Sequence, residues 1–198
     1  MSLEKYIPKD IRALYDVHDY RHAACILANE FPSEFKEICD ALREFSFTES
    51  EITSGGGSES GIPKKFSSLL RHRGWTEERM SVKIQVNDSE RPIDSHFVDY
   101  CKGRVAFDLE WNSKDQTFDR DLYAFRMFWD YDKISVGVLV TRGESLNDVF
   151  RELGIMQKYG ASTTWIGKLL PRLDAGRNGG CPVLVFGITP KSMNHSKK

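Results

Sequence analysis

The sequence predicts an α/β domain with a central mixed sheet flanked by helices, and three observations carry that prediction. The first third holds apolar positions at helical spacing. RVAFDLEW then alternates Val105, Phe107, Leu109 and Trp111 with Ala106, Asp108 and Glu110, the period-two mark of a strand with one face in a core. ISVGVLVT and CPVLVFGI are continuous apolar runs of the kind buried on both faces of a sheet. Helices first, then strands mixed with helices, without a repeat, fits one domain over residues 1–190, with 191–198 expected as a frayed tail.

In chain order, residues 11–29 have mostly helical spacing, interrupted by Phe31-Pro32-Ser33. Ser33 is placed to cap a helix whose stripe is Phe35, Ile38, Cys39, Leu42 and Phe45. Residues 48–61 are polar and glycine-rich and read as a loop. Pro63 opens a further helix with Phe66, Leu69 and Leu70 on one side, ended by Gly74. Its Lys64, Lys65, Arg71 and Arg73 suit either a solvated face or phosphate contact.

MSVKIQVN alternates cleanly and predicts a strand, with SERPIDSH after it as a turn. TFDRDLYAFRMFWDYD reads as a helix with Asp119 and Asp121 in its first turn, where carboxylates favour the positive end of the helix dipole. Ser145 is placed to cap a short helix. Residues 157–180 are glycine-rich and polar, and read either as a surface loop or as a place for side chains that reach base edges.

Bulk composition excludes little. Lys plus Arg number 28 against 29 Asp plus Glu, so a net charge of −1 favours no partner, and a local basic surface would suffice for nucleic acid. No apolar run approaches a bilayer span and the first residues lack the apolar core of a secretory signal, so a cytoplasmic location is the default expectation. The four cysteines are widely spaced and the five histidines scattered, which indicates neither a zinc module nor a disulfide framework. His18 and His22, four apart in the predicted helix, form a weak candidate metal pair.

The stretch 99–115, DYCKGRVAFDLEWNSKD, concentrates the chemistry. Asp108 and Glu110 share a strand face about 6.6 Å apart, with Asp99 nine residues before Asp108. At an effective dielectric of about 20, two such carboxylates repel by roughly 2.5 kcal/mol, a cost that a hard divalent cation such as Mg²⁺ offsets. The same spacing also fits a solvated face beside Lys102 and Arg104.

DYCKGRVAFDLEW, ISVGVLVTR and GRNGGCPVLVFGITP together resemble the BglII/BstYI family of type II restriction endonucleases, within the PD-(D/E)xK nuclease superfamily. The resemblance runs from the first helices to Ile188-Thr189-Pro190 and implies a restriction-endonuclease-like sheet. It makes Asp99, Asp108 and Glu110 the catalytic acids, with Mg²⁺ held by Asp99, Asp108 and the Leu109 carbonyl. Two departures stand out: the middle acid, often Glu, is Asp108, and the third position is Glu110 in place of lysine or glutamine. Glu110 can then orient the attacking water or ligate a second cation.

The resemblance further implies a homodimer that cuts double-stranded DNA at a palindrome centred on GATC, leaving 5′-phosphate ends. Asn112 and Lys114, just after the acidic strand, and Arg172, Arg177 and Asn178 are the candidate base readers, with Lys168 a phosphate contact. A repair or junction nuclease with the same acids, or a DNA-binding module whose catalysis has lapsed, are the alternatives.

Overall fold

Why the acidic strand sits where it does follows from the sheet. The computed structural model describes residues 3–54 and 61–194. Six strands run in the order β1-β6-β5-β4-β3-β2: β1 Tyr15–Tyr20, β2 Thr76–Val86, β3 Ser89–Lys102, β4 Val105–Glu110, β5 Val136–Arg142 and β6 Val183–Ile188. The middle trio β4, β5 and β6 is parallel, whereas β3 joins β4, β2 joins β3, and β1 joins β6 antiparallel. Among the described residues eight α-helices surround it: α1 Lys9–Leu14, α2 Ala23–Glu30, α3 Pro32–Glu44, α4 Glu49–Thr53, α5 Gly61–His72, α6 Thr117–Asp130, α7 Leu146–Glu152 and α8 Ile166–Asp174. This is the mixed sheet between helices that the sequence predicts.

The two faces of the sheet carry separate cores. Val105, Phe107 and Leu109 pack with Val138, Phe186 and the apolar sides of α1 to α5 and α7. Ala106, Leu139 and Val185 pack on the other face with Phe118, Leu122 and Phe125 of α6 and Leu169 of α8. Asp108 and Glu110 therefore point into the layer between the sheet and α6.

That layer is tight. A Cβ at Gly137 on β5 would come within 2.5 Å of the Phe125 ring, itself fully buried. Gly137→Ala is expected to cost about 1–3 kcal/mol through overpacking, read as a lower midpoint in urea unfolding.

Several elements differ from the sequence reading. The predicted helix 11–29 is α1, then strand β1, then α2, with Arg21 and His22 at positive φ in the turn between. Tyr15, Val17 and Tyr20 are good strand formers, and pairing with β6 on the sheet edge overrides the helical spacing. His18 lies in this strand, so the helical pairing with His22 does not form. Helix α3 begins at Pro32, two residues earlier than a Ser33 cap allows, because proline's fixed φ suits the first helical position.

The segment expected as a loop at 48–61 contains α4, where the Glu51 carboxylate accepts from the Thr48 backbone N–H at 2.8 Å, half of a capping box. Its residues 55–60 lie outside the described residues. SERPIDSH forms the whole first half of β3, and the turn is instead Asn87-Asp88, with Asn87 at φ 54°. Ser145 does precede α7, but its hydroxyl makes no capping bond. Within 157–180 the structure builds α8, whose stripe of Ile166, Leu169 and Leu173 is masked in the sequence by surrounding polar residues and Pro171. Of the expected tail, Pro190–Ser192 forms a 3-10 turn and the Asn194 N–H donates to the Phe47 carbonyl at 2.7 Å; 195–198 lie outside the described residues.

Candidate active site

The β3–β4 hairpin accounts for the nine-residue offset between the first two acids. Tyr100 faces Phe107 and Cys101 faces Ala106, with Gly103 at φ 55° in the turn. Continuing that register puts Asp99 opposite Asp108, and the Asp99 backbone N–H donates to Asp108 Oδ1 at 2.7 Å. Glu110 follows on the same face as Asp108, and the Thr141 hydroxyl of β5 donates to its carbonyl at 2.7 Å. Three acids from two strands are thus fixed by sheet geometry.

The solvated-face alternative is overturned. Asp108 and Glu110 are only 3% and 5% exposed. Lys102 instead pairs with Glu37 at 2.6 Å and Arg104 pairs with Asp132.

Helix α6 adds a fourth acid that the sequence reading assigned to the helix dipole. Asp121 is 4% exposed and lies on the sheet-facing side of α6 with Phe118, Leu122 and Phe125. An acid on the apolar stripe was the signal available: positions 118, 121, 122 and 125 keep i, i+3, i+4, i+7 spacing, and a carboxylate there needs a reason. Its neighbour Arg120, not singled out from the sequence, reaches back to Asp121 at 3.1 Å and to within 3.8 Å of Glu110. Asp99, Asp108, Arg120 and Asp121, with Glu77 and His96, line a cleft of about 240 Å³.

The electrostatics follow from this crowding. Burial pushes the Asp108 carboxyl well above its ordinary value, and the charges of Asp99 and Glu110 add to it. Burial does the same to Asp121, reinforced by Asp108 and Glu110. Glu110 and Asp99 are also raised, chiefly by desolvation. Glu110 Oε2 and Asp121 Oδ2 are buried without a hydrogen-bond partner.

Among the described residues, no three His, Cys, Asp or Glu side chains converge as a ready-made metal cage. An open set of carboxylates with two orphaned oxygens nevertheless fits Mg²⁺, which retains several waters and takes only one or two protein carboxylates.

The expected DNA-contacting residues divide. Lys114 is exposed and its backbone bridges to Thr163. Asn112 is half-buried and donates to the Lys158 carbonyl at 3.3 Å. Lys168 and Arg172 stand one turn apart on α8; Arg172 pairs with Asp119 at 3.1 Å and, with Arg177, brackets that acid. Asn178 is displaced from the list of readers by its surroundings: it is 2% exposed, and its amide donates to the Cys181 carbonyl at 2.7 Å to hold the turn into β6.

One buried cation supports this end of the sheet. Arg142, at the end of β5, is fully buried; its Nε donates to the carbonyls of Trp111 and Thr164 at 2.7 and 3.0 Å. Nη2 donates to the Thr163 hydroxyl at 2.6 Å, and the rings of Phe150 and Tyr159 flank the guanidinium. It ties the residue after Glu110 to the segment leading into α8.

No curated protein matches the chain. The model of the restriction endonuclease BglII/BglIII family matches residues 15–188, from the first strand of the sheet to the last, and with the acidic cleft inside that span the chain belongs to this family of nucleases.

Proposed function

We propose that the protein is a type II restriction endonuclease, an Mg²⁺-dependent hydrolase that cuts double-stranded DNA at a short palindrome centred on GATC. The observation that carries this reading is the cleft lined by Asp99, Asp108 and Asp121, with Glu110 buried beside it, held by β3, β4 and α6 in a chain of restriction endonuclease family. Asp99, Asp108 and the Leu109 carbonyl would hold the ion. When bound, Mg²⁺ lowers the pKa of water and offsets charge on the scissile phosphate.

The chain's own groups supply the rest. Glu110, buried next to Asp108, orients the attacking water and accepts its proton, a task that a charged lysine in that position cannot perform. Water oxygen bonds to phosphorus, the bond to the 3′ oxygen breaks, and that oxygen leaves with a proton, giving 5′-phosphate and 3′-hydroxyl ends. Lys114, Asn112, Arg172 and Arg177 lie on the segments around β4 and α8 and are the proposed DNA contacts, with Lys168 toward phosphate. Two subunits related by a two-fold axis would cut the two strands of a palindrome. No helix among the described residues is long and apolar enough to cross a membrane.

Purified protein incubated with Mg²⁺ and a plasmid of known sequence should give discrete fragments whose ends map to GATC-centred sites. Nicks confined to junctions or flaps would make it a structure-selective nuclease, and retention of uncut plasmid would make it a lapsed binding module.

A further inference from the structure

The bond between Arg120 and the acid cluster is half made. Nε and Nη2 both converge on one oxygen, Asp121 Oδ1, at 3.2 and 3.1 Å. A guanidinium built as a permanent partner would spread its fork over both carboxylate oxygens. Here Asp121 Oδ2 has no donor, and neither does Glu110 Oε2, 3.8 Å being the closest approach of Arg120 to that residue's other oxygen. Both acids are at least nine-tenths buried, while the Arg120 side chain is 73% exposed. The fixed parts of the cleft are therefore acidic and the positive part is a solvent-exposed side chain entering from outside.

We propose that Arg120 is a displaceable counter-ion: in the metal-free protein its guanidinium offsets the charge of the cleft from beside Asp121 and Glu110, and a divalent cation entering at Asp99 and Asp108 competes with it for the same acidic volume. This rests on the reading of the cleft as a cation site. The physical reason is competition for one anionic volume. Asp99, Asp108, Glu110 and Asp121 cannot all stay charged and buried without positive compensation. A side chain that provides it by one carboxylate oxygen, with its stem in water, gives it up at low cost. With its side chain 73% exposed, an evicted guanidinium has open solvent to turn into.

The test measures cation affinity without DNA, so it does not depend on cleavage. Mn²⁺, a hard cation suited to the same oxygen ligands, is titrated into the protein and free ion is followed by its electron paramagnetic resonance signal. Arg120→Gln is expected to bind Mn²⁺ about fivefold tighter than the unaltered protein, the scale of one screened charge. Arg120→Lys, which keeps the charge, should stay at the original affinity, and Asp108→Asn should lose binding. Unchanged or weaker binding by Arg120→Gln, with binding lost in Asp108→Asn, overturns the counter-ion and leaves the cation site standing; equal tightening in Arg120→Lys overturns it too. Original affinity in Asp108→Asn overturns the cation site itself. Arg120 is on the helix surface, so folding is not at stake, and matching thermal melts check this.

Discussion

Replacing Asp108 with alanine is expected to abolish Mg²⁺-dependent cleavage, lowering the rate by about 10³-fold or more, while duplex binding persists. A bound cation supplies several kcal/mol of transition-state stabilisation, and each ~1.4 kcal/mol is a factor of ten. Asp108 lines the cleft from a central strand, fixed by the Asp99 amide, so no neighbour can take its place without moving a strand. Gel retardation of a duplex and single-turnover cleavage are the two measurements; cutting within tenfold of the unaltered protein would refute the assignment.

The isosteric Asp108→Asn separates chemistry from stability. It keeps an acceptor for the Asp99 N–H and removes a buried charge that the surrounding acids oppose, so the metal-free protein should melt at the same or a higher temperature. A fall in melting temperature of several degrees would mean that the carboxylate is structural.

The second large effect is expected at Arg142. Arg142→Met should destabilise the protein by about 3 kcal/mol, measured by urea unfolding, because it leaves the Trp111 and Thr164 carbonyls and the Thr163 hydroxyl without their donor in a buried site. Burial holds the guanidinium down to about 10, still charged at neutral pH, and no carboxylate faces it in the bonds described; backbone carbonyls and two aromatic rings carry the compensation. Arg142→Lys should recover only part of the loss, since an ammonium cannot span three acceptors in the plane of a fork. A change below 1 kcal/mol in the methionine variant would show that the clamp is dispensable.

How much of this was legible in the sequence depended on whether a residue's role was local. The period of RVAFDLEW placed Asp108 and Glu110 on one face, and the offset to Asp99 agreed with a tight hairpin. The fate of that face was not local: only α6 packing over it makes the acids buried, so spacing alone left a solvated surface open. Asp121 was misassigned because the sequence reading set it in the first helical turn, where the dipole explains a carboxylate, whereas only Asp119 lies in that turn and Asp121 falls on the apolar stripe. β1 escaped notice because it is short, lies between two helices, and is held by a partner at the far end of the chain. Asn178 shows the opposite error, a polar side chain read as a probe of DNA that is buried and engaged with its own backbone.

That distant partner has a consequence for how the enzyme comes into being. β1 pairs with β6 from Tyr15 opposite Ile188 to Tyr20 opposite Val183, so the first strand of this sheet must wait for the sixth. Until β6 leaves the ribosome, β5 has an open edge beside the acidic strand, and slow long-range pairing completes the sheet. An unfinished chain therefore lacks the edge that completes its sheet. The sheet that carries the acidic cleft is whole only when β6 is in place between β5 and β1.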